Sequence, residues 1–194
     1  MREVFDSEEC ASWPKSELLE LCEGPGQYGT SQKSNSECEG IPILGMYHIH
    51  EGRVRWENVS YVQLKDRDKG KYLLRRGDML FNRTNSAELV GKTAVFDLEQ
   101  EAVFASYLIR FRLDSELADS HFVCAYINSY HGRAFIERNM ARAIGQVNIS
   151  ASTMHKMPIP VPPWTFSDIS VKYFESDKSR QACSASILIK TWIR

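Results

Sequence analysis

Two polar clusters hold the side chains most able to do chemistry. The first is Asn82-Arg83-Thr84-Asn85-Ser86, with Lys92 shortly after it. It sits between the apolar run Met79-Leu80-Phe81 and the returning runs Leu89-Val90 and Thr93-Ala94-Val95-Phe96. A hairpin-like element therefore carries a tip dense in amides, hydroxyls and one guanidinium. Such side chains read base edges and phosphate oxygens, and recognition residues concentrate in loops on rigid scaffolds. The second cluster runs from Asn139 to Ser150. In it Arg142 is a candidate phosphate ligand, and Gln146 and Asn148 carry the donor–acceptor pair that matches the N6/N7 edge of adenine. Both clusters also have a plainer reading. Asn85 and Ser86 close a turn, and Gly145, Gln146 and Asn148 satisfy backbone groups in another.

Other constellations are incomplete. His48-x-His50 puts two imidazoles on one face of an expected strand, but no third metal ligand follows at a suitable spacing. The segment Gly24 to Ser31 lacks the Gly-Lys-Ser/Thr ending of a phosphate-binding loop. No G-x-S-x-G element surrounds Ser106 or Ser120. Asp78, after Gly77, reads as a turn acid. The sequence contains neither Asn-Pro-Pro-Tyr nor Asp-Pro-Pro-Tyr, the usual amino-methyltransferase tetrapeptide. Cys10, Cys22, Cys38, Cys124 and Cys183 are scattered and odd in number, as expected of reduced thiols in a cytoplasmic protein.

Composition sets the frame. The 194 residues are 43% hydrophobic and 25% charged, with a net charge of −1. That describes an ordinary globular chain with a substantial core and no global basic field. The charge is unevenly spread. Residues 1–40 carry nine acids against three bases, and residues 130–156 carry four bases against one acid. A local basic patch binds phosphates even on a neutral protein. Arg83, Lys92, Arg133, Arg138 and Arg142 are expected on or beside such a face. No signal peptide is read at the N-terminus, and no apolar run is long enough to cross a membrane.

The elements that position these residues are mostly short strands. Expected strands lie at 41–44, 47–49, 54–56, 61–64, 72–74, 79–81, 93–96, 102–105 and 107–113. Lys65 to Lys71 reads as an exposed charged turn. Helical spacing appears at Phe122, Ala125 and Tyr126, with Asp119 or Ser120 as a cap. Gly132 then interrupts, and 133–140 reads as a second short helix. The prolines of 157–163 demand an extended segment. The expectation is an α+β fold with a twisted, mainly antiparallel sheet and a helical region from 119 to about 140. Residues 1–12 form an acidic, frayed extension, 13–163 the domain, and 164–194 a tail of unassigned structure.

The order of the motifs resembles a target recognition domain of the specificity subunit of type I DNA restriction-modification systems. The pieces are Gln27-Tyr28-Gly29, Gly40-Ile41-Pro42-Ile43-Leu44, Gly77 to Arg83, Leu89-Val90-Gly91-Lys92-Thr93, Tyr126-Ile127-Asn128-Ser129, Gly132-Arg133, Gly145 to Ser150 and the Pro158–Pro163 exit. The resemblance implies binding to one half of a bipartite double-stranded DNA site. It also implies delivery of that site to modification (methyltransferase) subunits, which hold S-adenosylmethionine and the catalytic motif, and to restriction subunits. No cofactor is then expected in this chain, and a homodimer would serve as a half subunit. Residues 164–194 depart from the family, whose proline run leads into heptad-bearing helix. No long coiled coil and weak docking to modification subunits follow from that departure. The candidate DNA contacts are Gln27, Tyr28, Asn82, Arg83, Asn85, Lys92, Arg133, Arg138, Arg142, Gln146 and Asn148. Base-reading residues can also sit in less motif-like stretches, such as Ser31–Ser36 and His48–Trp56. The rival readings are a stand-alone DNA-modifying or DNA-cleaving enzyme and a truncated remnant.

Overall fold

The computed structural model describes residues 2–143 and 145–162. In chain order the strands are β1 (Lys15–Glu17), β2 (Gln27–Tyr28), β3 (Ile41–Leu44), β4 (Ile49–His50), β5 (Gly52–Val54), β6 (Ser60–Val62), β7 (Met79–Asn82), β8 (Thr84–Asn85), β9 (Thr93–Val95), β10 (Val103–Phe104), β11 (Leu108–Phe111), β12 (Ala141–Ala143), β13 (Gln146–Asn148) and β14 (Pro158–Pro160). The helices are α1 (Arg2–Phe5), α2 (Glu8–Ser12), α3 (Asp66–Tyr72), α4 (Ser120–Asn128), α5 (Tyr130–Asn139) and α6 (Ala151–His155). Short 3-10 turns occupy Leu18–Leu21 and Met46–His48. Residues Lys15–Val161 form one compact unit, and residues 2–14 with Pro162 belong to another. The tail expected at 164–194, with its missing coiled coil, lies outside the described residues.

The largest sheet has the strand order β2-β11-β7-β9-β5-β4. Its central strands are apolar at nearly every position because both faces are covered. All of Met79–Asn82 and Thr93–Val95 are buried, and β11 is buried except at Arg110. Leu80, Ala94 and Leu108 meet Leu44 and Phe104 of a second sheet, ordered β10-β3-β6. The alternate residues point to the opposite face. There Phe81 and Phe111 pack edge to face, with ring centroids 6.3 Å apart. Each such phenyl ring contributes about 1.5–3 kcal/mol on leaving water. Pairing is antiparallel throughout the described strands except β3–β10 and β5–β9. The expected α+β, mainly antiparallel architecture is the one observed, divided among several sheets.

Helix α4 lies against β9 and β5. Asp119 caps it by accepting from the backbone N–H of His121 and Phe122. The break between α4 and α5 falls at Ser129, whose hydroxyl caps α5, so Gly132 lies inside α5 and does not interrupt it. A Cβ at Gly132 would stand 2.3 Å from the Ile127 carbonyl oxygen and 2.4 Å from that of Tyr126. Only glycine allows the first turn of α5 to approach the end of α4 so closely.

Several local expectations give way. No strand forms at 72–74, where Tyr72 is the last residue of α3. Residues 65–71 are helical, not a turn. Asp66 and Asp68 occupy the first turn of α3 and Lys69 and Lys71 the last, so the charges complement the helix dipole. The acidic N-terminus is helical in α1 and α2, where Ser7 accepts from the Cys10 N–H at 3.1 Å. The proline run is extended as expected. β14 pairs antiparallel with β1, Lys15 opposite Pro160, at the edge position proline tolerates.

Asp78 does more than close a turn. It accepts the Arg75 N–H at 2.8 Å, and it is only 1% exposed. Its two oxygens receive Nε and NH2 of Arg112 at 2.7 and 2.8 Å, with Arg110 3.9 Å away. Hydrogen bonding to Asp78 raises the Arg112 pKa above its ordinary value.

Candidate nucleic-acid interface

The two polar clusters meet in a third small sheet, ordered β12-β13-β8. Val147 stands opposite Asn85, and Asn148 opposite Thr84. Arg142 stands opposite Val147, and Ala143 opposite Gln146. Segments some sixty positions apart in the sequence are thus joined, with Gln146 and Asn148 on one face of the small sheet and Asn85 and Arg142 on the other. No local pattern reveals this pairing, because it depends on long-range register.

Arg83 occupies the junction of β7 and β8. Its backbone N–H donates to the Tyr107 carbonyl at 3.0 Å, and its carbonyl accepts from Ile149 N–H at 3.0 Å. Its NH2 donates to Asn148 Oδ1 at 3.0 Å. Its guanidinium carbon lies 4.9 Å from the centroid of the Tyr28 ring, within cation–π range. The Tyr28 hydroxyl accepts the Ala151 N–H at 3.0 Å, and Gln27 Nε2 donates to the Tyr28 carbonyl at 2.7 Å. Four of the candidate contacts, Gln27, Tyr28, Arg83 and Asn148, therefore form one connected group. Arg83 Nε is buried and has no partner among the described residues.

The other candidates divide by surroundings. Asn85 Oδ1 accepts the Ser86 N–H at 2.8 Å while its Nδ2 reaches Met46 Sδ at 3.1 Å. Asn82 is 1% exposed and turned inward, with Nδ2 donating to the Leu89 carbonyl at 3.3 Å. Arg133 directs NH1 to the Val90 carbonyl and NH2 to those of Ala87 and Glu88 at 3.4 and 3.5 Å. Burial pulls its pKa below the ordinary arginine value. Arg133 thus closes the 86–90 turn from within. Lys92, Arg138, Arg142 and Gln146 are exposed.

Beside this group opens a cleft of about 490 Å³. Met46, Tyr47, His48, His50, Arg55 and Tyr107 are among its lining residues. Asn85 touches it through Met46, and the Arg83 backbone touches it through Tyr107. His48 and His50 do not share a strand as expected. His48 lies in the 3-10 turn, where its Nδ1 accepts the Gly45 N–H at 2.9 Å. Among the described residues no group of three or more His, Cys, Asp or Glu is placed to hold a metal ion. No described helix is long and apolar enough to cross a membrane.

No protein-family model matches the chain. Curated relatives do. The chain is 26% identical over 153 residues to the chain named as the type I restriction enzyme MjaX specificity subunit of Methanocaldococcus jannaschii. That match covers 78% of this chain and 36% of the relative. It is 26% identical over 140 residues to the StySPI specificity subunit of Salmonella potsdam, and over 138 residues to the EcoKI specificity subunit of Escherichia coli K12. Each of those matches covers 70% of this chain and 30% of the relative. The chain therefore spans about a third of the length of the curated relatives it matches. Among solved structures, one of a type I restriction-modification assembly superposes with a TM-score of 0.59 at 19% identity, over 92% of this chain and 41% of that one. The HsdS subunit of Thermoanaerobacter tengcongensis superposes with a TM-score of 0.51 at 19% identity, over 81% and 35%. The fold is that of these structures, and the sequence is similar to type I specificity subunits.

Proposed function

We propose that the Lys15–Val161 unit is a DNA target recognition domain. In a type I restriction-modification system it would direct partner methyltransferase and restriction subunits to one half of a bipartite site. Sequence similarity to specificity subunits over 78% of the chain sets the frame. The observation that carries the reading is the connected group of Gln27, Tyr28, Arg83 and Asn148 beside the β12–β13 strands, with Gln146 exposed on the Asn148 face and Arg142 exposed on the other. Exposed guanidinium and carboxamide groups around such a frame have the chemistry to meet phosphates and base edges.

On this reading the domain binds and positions DNA, and S-adenosylmethionine with the methyl-transfer chemistry resides on a partner subunit in the cytoplasm. Docking to the methyltransferase and restriction subunits, and a homodimeric half subunit, belong to the same proposal. The test is selection by the full 194-residue chain from a duplex pool with a randomised centre. Enrichment of one short asymmetric sequence is expected. Lys92→Ala, Arg138→Ala and Arg142→Ala should each reduce the salt slope of binding by about one where the side chain meets a phosphate. Binding with no sequence enrichment, or unchanged slopes in all three variants, would overturn the proposal.

A further inference from the structure

We infer that base readout belongs to the cleft beside the Arg83 group. Tyr47 and Arg55 are the residues that decide sequence preference there, and the Arg83 group holds the frame. This rests on the proposed DNA-recognition function. Three observations on the cleft carry it.

Exposure comes first. Tyr47 is 90% exposed and Tyr107 51% exposed, at the rim of one cleft. A phenol left almost entirely in water contributes nothing to the fold, whereas an aromatic ring beside a duplex can stack on or wedge between bases. The second observation is fixation. Tyr47 sits on a 3-10 turn held at both ends, by the His48–Gly45 contact at 2.9 Å and by the Arg55 N–H donating to the His48 carbonyl at 2.9 Å. The β4–β5 hairpin behind it turns in two residues, Glu51 and Gly52, both with positive φ (48° and 83°). That is the tight turn that fixes strand register. The ring and the Arg55 fork are thus displayed from a stiff element, which readout geometry requires.

The third observation is that donor capacity is free in the cleft, whereas the buried and half-buried motif residues beside it spend most of theirs on the fold. Arg83, Asn82 and Arg133 direct their side-chain hydrogen bonds to Asn148 and to backbone carbonyls. Arg55 and Asn58 line the cleft, are exposed, and have no side-chain hydrogen bond recorded to another described residue. His48 Nδ1 faces the Gly45 backbone, so its Nε2 is the ring nitrogen left for a partner in the cleft. The cleft also holds Glu57, an acceptor suited to a cytosine amino group and repelled by phosphate. A mixed set of arginine, histidine, asparagine and glutamate fits base edges better than a uniform phosphate track.

The experiment repeats the duplex selection with Tyr47→Ala, Arg55→Ala and Arg83→Ala in the full chain. Tyr47 and Arg55 are exposed, so folding should be unaffected, and a thermal melt checks it. Arg55→Ala should flatten preference at one base position by about tenfold or more. Tyr47→Ala should weaken binding to the selected duplex by a similar factor. Arg83→Ala should weaken binding to all duplexes alike. If the wild-type chain selects a sequence and both cleft variants keep its affinity and full preference profile, the inference fails while the DNA-recognition reading stands. If the wild-type chain selects nothing, both fail together.

Discussion

The carboxamide of Asn128 pairs with both backbone groups of Thr93: Nδ2 donates to the Thr93 carbonyl at 2.9 Å, and Oδ1 accepts the Thr93 N–H at 3.1 Å. One side chain from α4 thus satisfies β9 as a neighbouring strand would. Asn128→Ala leaves two groups of a fully buried residue without partners. A loss of about 2–4 kcal/mol is expected, from about 1–3 kcal/mol per orphaned group with partial relaxation. Urea denaturation with an unchanged m-value measures it, and a loss below about 0.5 kcal/mol would contradict this role.

Asp78→Ala should be comparably severe. It strips a buried carboxylate from Arg112, with Arg110 close by, and frees the Arg75 N–H. Removing one partner of a buried pair costs about 3–5 kcal/mol. The denaturation midpoint should fall accordingly, and adding Arg112→Leu should recover part of the loss by removing the orphaned cation.

The Asp97–His121 pair gives a pH dependence. His121 Nε2 lies 3.0 Å from Asp97 Oδ2. That hydrogen bond raises the imidazole pKa above its ordinary 6.5. Burial pushes the Asp97 carboxyl up, but His121, Arg76 and Arg53 outweigh it and hold the carboxyl below its ordinary 3.8. The pair's contribution is therefore complete between those ordinary values. It fades as pH rises through the raised His121 pKa, and again as pH falls through the lowered Asp97 pKa. The side chains are 40% and 39% exposed, so screening limits the effect to less than about 1 kcal/mol. Wild type minus His121→Gln, followed by thermal melts from pH 4 to 9, should show a difference that is largest below about pH 6.5. A difference that grows toward pH 9 would exclude it.

Gly91 and Gly132 set a steric limit. At Gly91 (φ +83°) a Cβ would lie 2.6 Å from Ile136 Cδ1 and 2.8 Å from Arg133 NH1. Gly132→Ala meets backbone oxygens, which cannot rotate away, so it should cost more than Gly91→Ala meets at flexible side-chain ends, apart from the strain of positive φ. Both variants should lower the melting temperature, with Gly132→Ala expressed poorly or unfolded at 37 °C.

These positions show how much of the molecule was legible in the sequence. The strands at 41–44, 79–82 and 108–111 and the cap at Asp119 follow from apolar runs and capping chemistry, both of which are local. The motif pieces are informative about architecture: Asn128 braces β9, Gly132 permits a close helix approach, Arg133 closes a turn and Asn82 is buried beneath it. Their chemistry reads as recognition in the sequence because amides and guanidinia serve backbone carbonyls as well as bases. The cleft was not legible as a cleft. His48–Trp56 includes His48, His50 and Arg55 of its lining, but Tyr47 and Tyr107 lie outside that stretch and join the cleft only through strand order.

The pairing of β1 with β14 has a topological consequence. Lys15 and Pro160 stand side by side in the ladder, so the polypeptide enters and leaves the Lys15–Val161 unit at one point. Such a unit behaves as a cassette. It can be grafted into a loop of another protein, or circularly permuted by a few glycines across that gap, without stretching a single strand of its interior.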